Sequence, residues 1–231
     1  MTYKHSICFS GSGYHYPWQV GVAWHLQEHY DLSDCCFIGV SAGSFVASLL
    51  STNTYVKMYI LNCSNEVYTN SNESKLGRYT IFHDVLKHIN SKYMEKDACK
   101  HTNDRCYISI TKMNRCSIKN QLVHEFSSNH DLCNAICASS HIPFINSPSF
   151  FYMFRNEKCL DGGATYNWVK LNEATMIIPP YKWDSFKNST YLLQGLITDS
   201  EYEFYELMTE GYLDAKANDC DFTNMGLVKK S

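Results

Sequence analysis

Hydrophobic residues near the N-terminus fall into short runs, and each run ends in a turn of small residues. Residues 6–9 form an apolar run that precedes Gly11, Ser12 and Gly13, after which apolar side chains recur at near-helical spacing. Residues 36–40 form a second run, followed by Ser41-Ala42-Gly43 and a mostly apolar segment. Short apolar runs beside turns indicate buried strands, and a period near 3.6 indicates helices. The pattern therefore predicts a strand–turn–helix unit that occurs twice.

Strand-like and helix-like segments continue to alternate along the rest of the chain. Further strands are predicted at residues 106–113, 118–124, 152–154 and 176–178, and helices at 131–139, beginning near Asn129, and at 200–216. The last helix offers an apolar stripe of Tyr205, Leu207, Met208, Tyr212 and Leu213. Residues 52–103 are more polar and predict helices with irregular joints, and residues 142–148 are irregular because proline cannot continue a helix. This alternation predicts an α/β fold with a mostly parallel central sheet.

Composition excludes several classes of protein. The chain has 231 residues, 45% of them hydrophobic, which is enough for one domain spanning 1–231. Its net charge is −3 and its Lys and Arg residues are scattered, so no nucleic-acid partner is expected. Eleven cysteines without a signal-peptide pattern favour reduced thiols and a cytoplasmic protein. No apolar stretch approaches a membrane span of about 18 residues, so any membrane contact would be peripheral.

The second small-residue turn has a pattern that is typical of a catalytic serine. Gly39 and Gly43 flank Ser41 in a G-x-S-x-G sequence, which forms a sharp strand-to-helix turn in serine hydrolases. The preceding strand and the following helix are the context that this mechanism requires. The alternative is an ordinary turn in which Ser41 only caps the helix.

A serine nucleophile needs a base, and the histidines restrict the choice. All ten histidines precede Asp161, so a triad in the order serine, Asp161, histidine is impossible. An esterase with an earlier acid and His124, His130 or His141 remains open. Asp161 could instead serve as the base itself, because Gly162 and Gly163 allow a sharp turn that leaves the carboxylate accessible. As an isolated dipeptide, however, Asp161-Gly162 also fits a simple turn.

The first small-residue turn could stabilise an oxyanion. Gly11, Ser12 and Gly13 would let backbone N–H groups point into a site at the start of a helix. Nucleotide binding is the rival interpretation. It is weak, because Tyr16 occupies the third glycine position of G-x-G-x-x-G and no lysine follows as in a phosphate-binding loop.

Taken in order, these motifs resemble the patatin-like phospholipase domain, with its animal adiponutrin and adipose-lipase branch as the nearest pattern. The matching segments are FSGSG with QVGVAWHL, GVSAGSFVASLL, YISIT, VHEF, DLCNAICASSHIPF, INSP, LDGGATYN, TMIIPP and EGYLDAKAN. They span most of residues 6–218, which we take as the core of the domain.

The resemblance implies a three-layer α/β/α domain with a Ser41–Asp161 dyad, an oxyanion hole at Gly11–Gly13, and no metal or organic cofactor. The implied reaction is hydrolysis of a phospholipid or acylglycerol through an acyl-enzyme, with peripheral contact to a membrane or lipid droplet. The family often has glycine at the position of Tyr16 and a basic residue at that of His15. A catalytically impaired lipid-binding or interaction protein is therefore the alternative function.

Several aromatic residues flank these motifs and could contact lipid. They are Trp18, Phe150, Phe151, Tyr152 and Trp168. Aromatic side chains pack in cores more often than they face an interface, so we expect most of them in the core.

Overall fold

The computed structural model describes residues 3–52, 54–58, 92, 94, 96–114, 117–166, 168–180, 182–183 and 201–230. The strands are β1 (His5–Phe9), β2 (Tyr30–Asp31), β3 (Cys35–Val40), β4 (Cys106–Asn114), β5 (Ser117–Val123), β6 (Tyr152–Phe154), β7 (Glu157–Leu160), β8 (Thr175–Ile178) and β9 (Val228–Lys229). The helices are α1 (Tyr16–His29), α2 (Ala42–Ser51), α3 (Ala98–Thr102), α4 (Asn129–Ser139), α5 (Glu201–Ala217) and α6 (Asp219–Asn224). Most of the helical segment predicted for 52–103 lies outside the described residues.

Seven strands form the main sheet, in the order β6-β7-β4-β3-β1-β8, with β5 also paired to β4. The four strands β8, β1, β3 and β4 are parallel, whereas β5, β7 and β6 extend the sheet with antiparallel pairs. Helices flank this sheet. The predicted α/β fold with a mostly parallel central sheet is confirmed.

Alternating side chains of the central strands enter two separate cores. Ile7 and Phe9 of β1 join the large cluster that includes α1, α2 and α4, whereas Cys8 packs with Ile38 and Val40 on the opposite face. This alternation follows from the two-residue period of a strand. Both faces of the sheet are therefore buried, as expected for parallel strands.

Helix α1 is buried on nearly all sides because it lies between the sheet and α5. Trp18, Val22 and Leu26 are all fully buried, and the Trp18 indole Nε1 donates to Asp214 of α5 at 2.8 Å. A helix covered on two sides needs no single apolar stripe. The apolar stripe predicted for α5 is wrong at Leu213, which is 54% exposed. The buried side chains of α5 include Phe204, Met208 and Ala215, which lie on the other face of the helix.

The predicted helix at 131–139 begins with a cap at Ser128, one residue before Asn129. The Ser128 hydroxyl oxygen accepts the backbone N–H of Asp131 at 3.1 Å, which satisfies one of the free donors in the first helical turn. Cys133 and Cys137 of this helix are buried, like most of the cysteines in the described part of the chain. Among the helices that the structure describes, none is long and apolar enough to cross a membrane.

Candidate active site

Strand β4 brings the two candidate catalytic residues together. Along one edge of β4, strand β3 runs parallel and ends with Val40 beside Ser109. Strand β7 approaches along the same edge from the opposite direction and ends with Leu160 beside Thr111. The residues that follow these two ends, Ser41 and Asp161, therefore meet beside the middle of β4.

The backbone of Ser41 has the conformation of a strained elbow. Its φ of 54° and ψ of −129° place a non-glycine residue in a region that L-residues rarely adopt. The side chain does not cap α2. Instead, Ser41 Oγ donates a hydrogen bond of 2.5 Å to Asp161 Oδ2. The geometry thus separates the nucleophile interpretation from the capping interpretation and favours the first.

Asp161 is held by bonds to its side chain and its backbone. Oδ1 accepts the N–H of Gly163 at 2.7 Å, and the carbonyl oxygen accepts the Thr111 hydroxyl at 2.7 Å. Oδ2 is thereby directed at Ser41. Burial raises the pKa of Asp161 to about 6, although hydrogen bonds from Ser41 and Gly163 favour the charged form. A carboxyl group with this pKa can accept and return a proton near neutral pH.

Close contacts between backbone segments at this site require glycine at positions 43 and 162. A Cβ on Gly43 would lie 2.3 Å from the carbonyl oxygen of Phe9, and one on Gly162 would lie 2.2 Å from that of Ser109. Gly43 thus lets the first turn of α2 lie against the end of β1, and Gly162 lets the Asp161 turn lie against β4. Gly39, at the other end of the elbow, is similarly crowded by α2.

The segment Gly11–Gly13 follows shortly after β1. Gly13 has a φ of 54°. The Ser12 hydroxyl donates to Gln19 Oε1 at 2.9 Å, and Gln19 Nε2 donates to the carbonyl oxygens of Ser10 at 3.0 Å and Ile178 at 2.9 Å. Gln19 is fully buried, so this side chain fixes the turn from within the fold. Sequence reasoning assigned no role to Gln19.

Tyr16 causes no backbone strain at the position where the resembling family often has glycine. Its φ of −56° and ψ of −27° are ordinary helical values. Its ring lies in edge contact with Phe45 and Phe204, at centroid distances of 6.1 and 5.9 Å. The adjacent His15 is buried, and burial lowers its pKa. The conformation of the turn therefore does not depend on a third glycine.

The comparisons with known proteins agree with this geometry. The sequence profile of the patatin-like phospholipase family matches residues 7–170. The chain belongs to the patatin-like phospholipase family. It is 30% identical over 172 residues to the human patatin-like phospholipase domain-containing protein 4, covering 70% of this chain and 66% of that protein. It is 26% identical over 172 residues to the human omega-hydroxyceramide transacylase, covering 70% of this chain and 31% of that protein. The chain thus spans less than two thirds of either relative, and family membership supports a lipid hydrolase.

The three histidines considered for a conventional triad bond elsewhere in this patatin-like fold. His124 Nδ1 lies 2.9 Å from Asp104 Oδ1, and the His130 ring contacts Asn134. His141 Nε2 lies 3.1 Å from the carbonyl oxygen of Ser149. Since the Ser41 hydroxyl already donates to a carboxylate, this geometry favours the direct serine–aspartate pair.

A group of possible metal ligands lies on the surface of the described part of the chain. Asp104, His124 and Glu125 place one ligand atom each within 4.8 Å of one another. Asp104 and Glu125 are exposed, and exposed acidic groups often lie this close without an ion. The arrangement does not involve the serine–aspartate pair, and we assign no metal to it.

A residue that sequence reasoning missed supports the elbow from α4. Ser139 is fully buried, and its Oγ accepts the backbone N–H of Ser41 at 2.9 Å while donating to the carbonyl oxygen of Ser109 at 2.7 Å. This hydroxyl therefore joins the elbow to β4. It lies in a segment that matched the family pattern, but a serine within a helix gives no indication of this bridge.

We expect Ser139→Ala to lower the free energy of unfolding by about 1–3 kcal/mol and to reduce kcat, because the buried N–H of Ser41 loses its acceptor. Ser140→Ala is a matched control, since the Ser140 hydroxyl is buried and, among the described residues, donates to the carbonyl oxygen of Ile136 in the last turn of α4. Denaturant unfolding and ester hydrolysis would be measured for both. Equal effects of the two substitutions would show that the bridge does not hold the elbow.

Proposed function

We propose that this chain is a serine acyl hydrolase that cleaves an ester of a phospholipid or acylglycerol, with Ser41 as nucleophile and Asp161 as its base. The observation that carries the proposal is the hydrogen bond of 2.5 Å from Ser41 Oγ to Asp161 Oδ2. Membership of the patatin-like phospholipase family supports the lipid substrate. We further propose that residues 1–231 form one domain, with its core at about 6–218.

In the first half of the reaction, Ser41 Oγ attacks the carbonyl carbon while its proton moves to Asp161 Oδ2. The tetrahedral intermediate collapses when the bond to the alcohol oxygen breaks, and the leaving alcohol takes the proton from Asp161. The acyl group then remains bonded to Ser41 Oγ. The raised pKa of Asp161 supports this double role, because a strongly acidic carboxyl would not hold the proton.

In the second half, Asp161 accepts a proton from water as the water oxygen attacks the acyl-enzyme. Release of Ser41 Oγ returns that proton to the hydroxyl and frees the fatty acid. An acceptor alcohol in place of water would give acyl transfer from the same intermediate. Similarity to a protein named a transacylase supports testing this second outcome.

The backbone of Gly11, Ser12 and Gly13 is proposed to stabilise the oxyanion in both halves. The contact of Gly43, in the first turn of α2, with the backbone of Phe9 and Ser10 supports this assignment, because the segment follows directly after Ser10. The N-terminus of α2 adds a favourable dipole at the same place. Such donors are typically worth about 10²–10³-fold in rate.

We expect Ser41→Ala to reduce fatty-acid release from mixed phospholipid and triacylglycerol micelles by at least about 10³-fold. A lipid phosphonate should label the parent protein at Ser41 and leave the variant unlabelled, as measured by peptide mass spectrometry. Ser48→Ala is the matched control, because Ser48 is a buried serine of α2 whose hydroxyl bonds only to Phe45. It should retain activity.

A folded parent protein that hydrolyses none of these lipids and is not labelled would favour the lipid-binding alternative. Retention of activity by Ser41→Ala would contradict the proposed nucleophile. Addition of a long-chain alcohol would distinguish hydrolysis from transfer, since a transacylase forms a wax ester in place of part of the fatty acid.

A further inference from the structure

Exposed apolar side chains are concentrated in the loop between α4 and β6. Phe144 is 70% exposed and Phe150 is 49% exposed, and Ile145 is also exposed. The ring of Phe150 lies 6.0 Å from that of Phe144 and 4.7 Å from that of Phe151. We call Phe144, Ile145, Phe150 and Phe151 the aromatic knob. Clustered exposed aromatics of this kind mark interaction surfaces rather than random surface positions.

The loop that presents the knob is fixed by its own hydrogen bonds. Asn146 is buried, and its side chain accepts the N–H of Ile142 at 2.9 Å and donates to the carbonyl oxygen of Ser140. The N–H of Phe144 donates to the carbonyl oxygen of Ser147 at 2.9 Å. The knob therefore projects from a defined scaffold.

Phe144 is held outward in an unfavourable backbone conformation. Its φ is 61°, which is rare for a large aromatic residue and persists only where the surroundings enforce it. Asparagine or glycine would adopt this angle more easily. A phenylalanine here buries little of its side chain within the fold, since most of that side chain is in solvent.

One end of the loop is bonded to the candidate active site, and the other end is bonded to the first. The carbonyl oxygen of His141 accepts the N–H of Asp161 at 2.9 Å. The same histidine ring lies 3.1 Å from the carbonyl oxygen of Ser149, near the other end of the loop. The knob is thus joined through His141 to the backbone of the candidate catalytic aspartate.

A cation accompanies the aromatic residues. Lys158 Nζ lies 4.9 Å from the Phe151 ring centroid, and Lys158 pairs across the β6–β7 hairpin with Met153, which is 58% exposed. The neighbouring Glu157 is paired with Lys112, while the ion pairs found among the described residues leave Lys158 available. Apolar side chains beside a free cation match a bilayer, whose acyl region accepts rings and whose headgroup phosphates accept an ammonium group.

We propose that the aromatic knob inserts into a phospholipid bilayer, with Lys158 against headgroup phosphate, and thereby seats the active site on the surface that holds its substrate. The role given to this contact, which is to bring the active site to its lipid substrate, rests on the proposed function. Its physical claim, binding to a bilayer through this loop, is independent of catalysis.

The test is sedimentation with vesicles of phosphatidylcholine and of equal parts phosphatidylcholine and phosphatidylglycerol, in a Ser41→Ala background so that hydrolysis does not alter the lipid. We expect Phe144→Asn combined with Phe150→Ser to reduce the partition coefficient by about tenfold or more on both vesicles. Lys158→Gln should weaken binding mainly to the vesicles that contain phosphatidylglycerol. Val228→Ser is the matched control, because Val228 is 68% exposed on β9 and should leave binding unchanged.

Phe144→Asn should also fold at least as well as the parent, because asparagine tolerates the positive φ. With Ser41 intact, the knob variants should hydrolyse a soluble short-chain ester at the parent rate, so a failure of catalysis and a failure of membrane binding are distinguishable. Absence of vesicle binding by the parent, or equal binding by parent and double variant, would overturn the inference. So would dimerisation of the parent that disappears in the double variant, since a second copy would then be the occupant of the knob.

Discussion

Asp161→Asn should abolish ester hydrolysis and at the same time stabilise the fold. An amide cannot take the proton of Ser41, so activity should fall by about 10³-fold or more. At neutral pH the native carboxylate is ionised although burial raises its pKa from 3.8 to about 6. That difference corresponds to roughly 3 kcal/mol of destabilisation, of which the variant should recover a part, because about 1.4 kcal/mol accompanies each pKa unit. Thermal unfolding and fatty-acid release measured on the same preparations would check both effects.

The stabilisation should depend on pH in a defined direction. Since the pKa of Asp161 is higher in the folded than in the unfolded chain, protonation of Asp161 stabilises the native protein below about pH 4. This contribution is lost as the pH rises to about 6. The difference in stability between Asp161→Asn and the parent should therefore grow over that interval and then level off, while the hydrolysis rate of the parent rises.

Asp219→Asn is a control for which we expect the opposite change in stability. Burial alone would raise the pKa of Asp219. Hydrogen bonds from Lys229, Tyr30 and His25 have a larger effect and lower this pKa to about 2. Its charged form stabilises the fold above the ordinary pKa of an aspartate, so Asp219→Asn should reduce Tm at pH 7. A lower Tm for Asp161→Asn than for the parent at pH 7 would contradict the conclusion that the buried charge of Asp161 destabilises the fold.

Arg105→Met should cause one of the largest losses of stability in the protein. The residue is 9% exposed, and its guanidinium donates to the carbonyl oxygens of Leu32 at 2.9 Å, Cys35 at 3.3 Å and Ser51 at 3.4 Å. These bonds join the beginning of β3 to the end of α2. Methionine fills a similar volume but leaves buried acceptors without a donor, so we expect a loss of about 3–5 kcal/mol in denaturant unfolding.

Arg155→Met removes the same charged group from a different setting. Arg155 donates to Asp131 at 2.6 Å, but its side chain is 42% exposed, and exposed ion pairs contribute about 1 kcal/mol or less. The two variants together separate loss of charge from loss of buried hydrogen bonds. Similar destabilisation by both would mean that the buried carbonyl contacts of Arg105 are not what stabilises this end of the sheet.

The sequence predicted best those features whose residues are neighbours in the chain. Residues 36–40 and Ser41 predicted a strand ending in an elbow, and β3 with Ser41 has that arrangement because the glycines around it allow α2 to turn back closely. Residues 118–124 predicted β5 to within one residue, since a short polar turn separates this segment from the apolar run of β4. Short-range constraints of this kind are visible in a single sequence.

Features that depend on contacts between distant parts of the chain could not be predicted from the sequence. Strand β7 carries Glu157 and Lys158, which do not indicate a strand, and it exists because β4 and β6 pair with it. The bridge at Ser139 and the support of the first turn by Gln19 likewise arise from tertiary contacts. Of the five aromatic residues near the motifs, Trp18 is in the core as expected, whereas Phe150 and Trp168 are exposed. Their positions are decided by loops whose shape the sequence pattern does not encode.

The way in which β3 and β7 meet along β4 also bears on how the protein is synthesised. Ser41 precedes Asp161 by 120 residues. At ordinary translation speeds the serine would emerge from the ribosome roughly 6–24 s before the carboxylate. Until the Asp161 strand has paired with β4, the nascent chain carries a serine without its base. The serine–aspartate pair would thus form only after most of the sheet is complete.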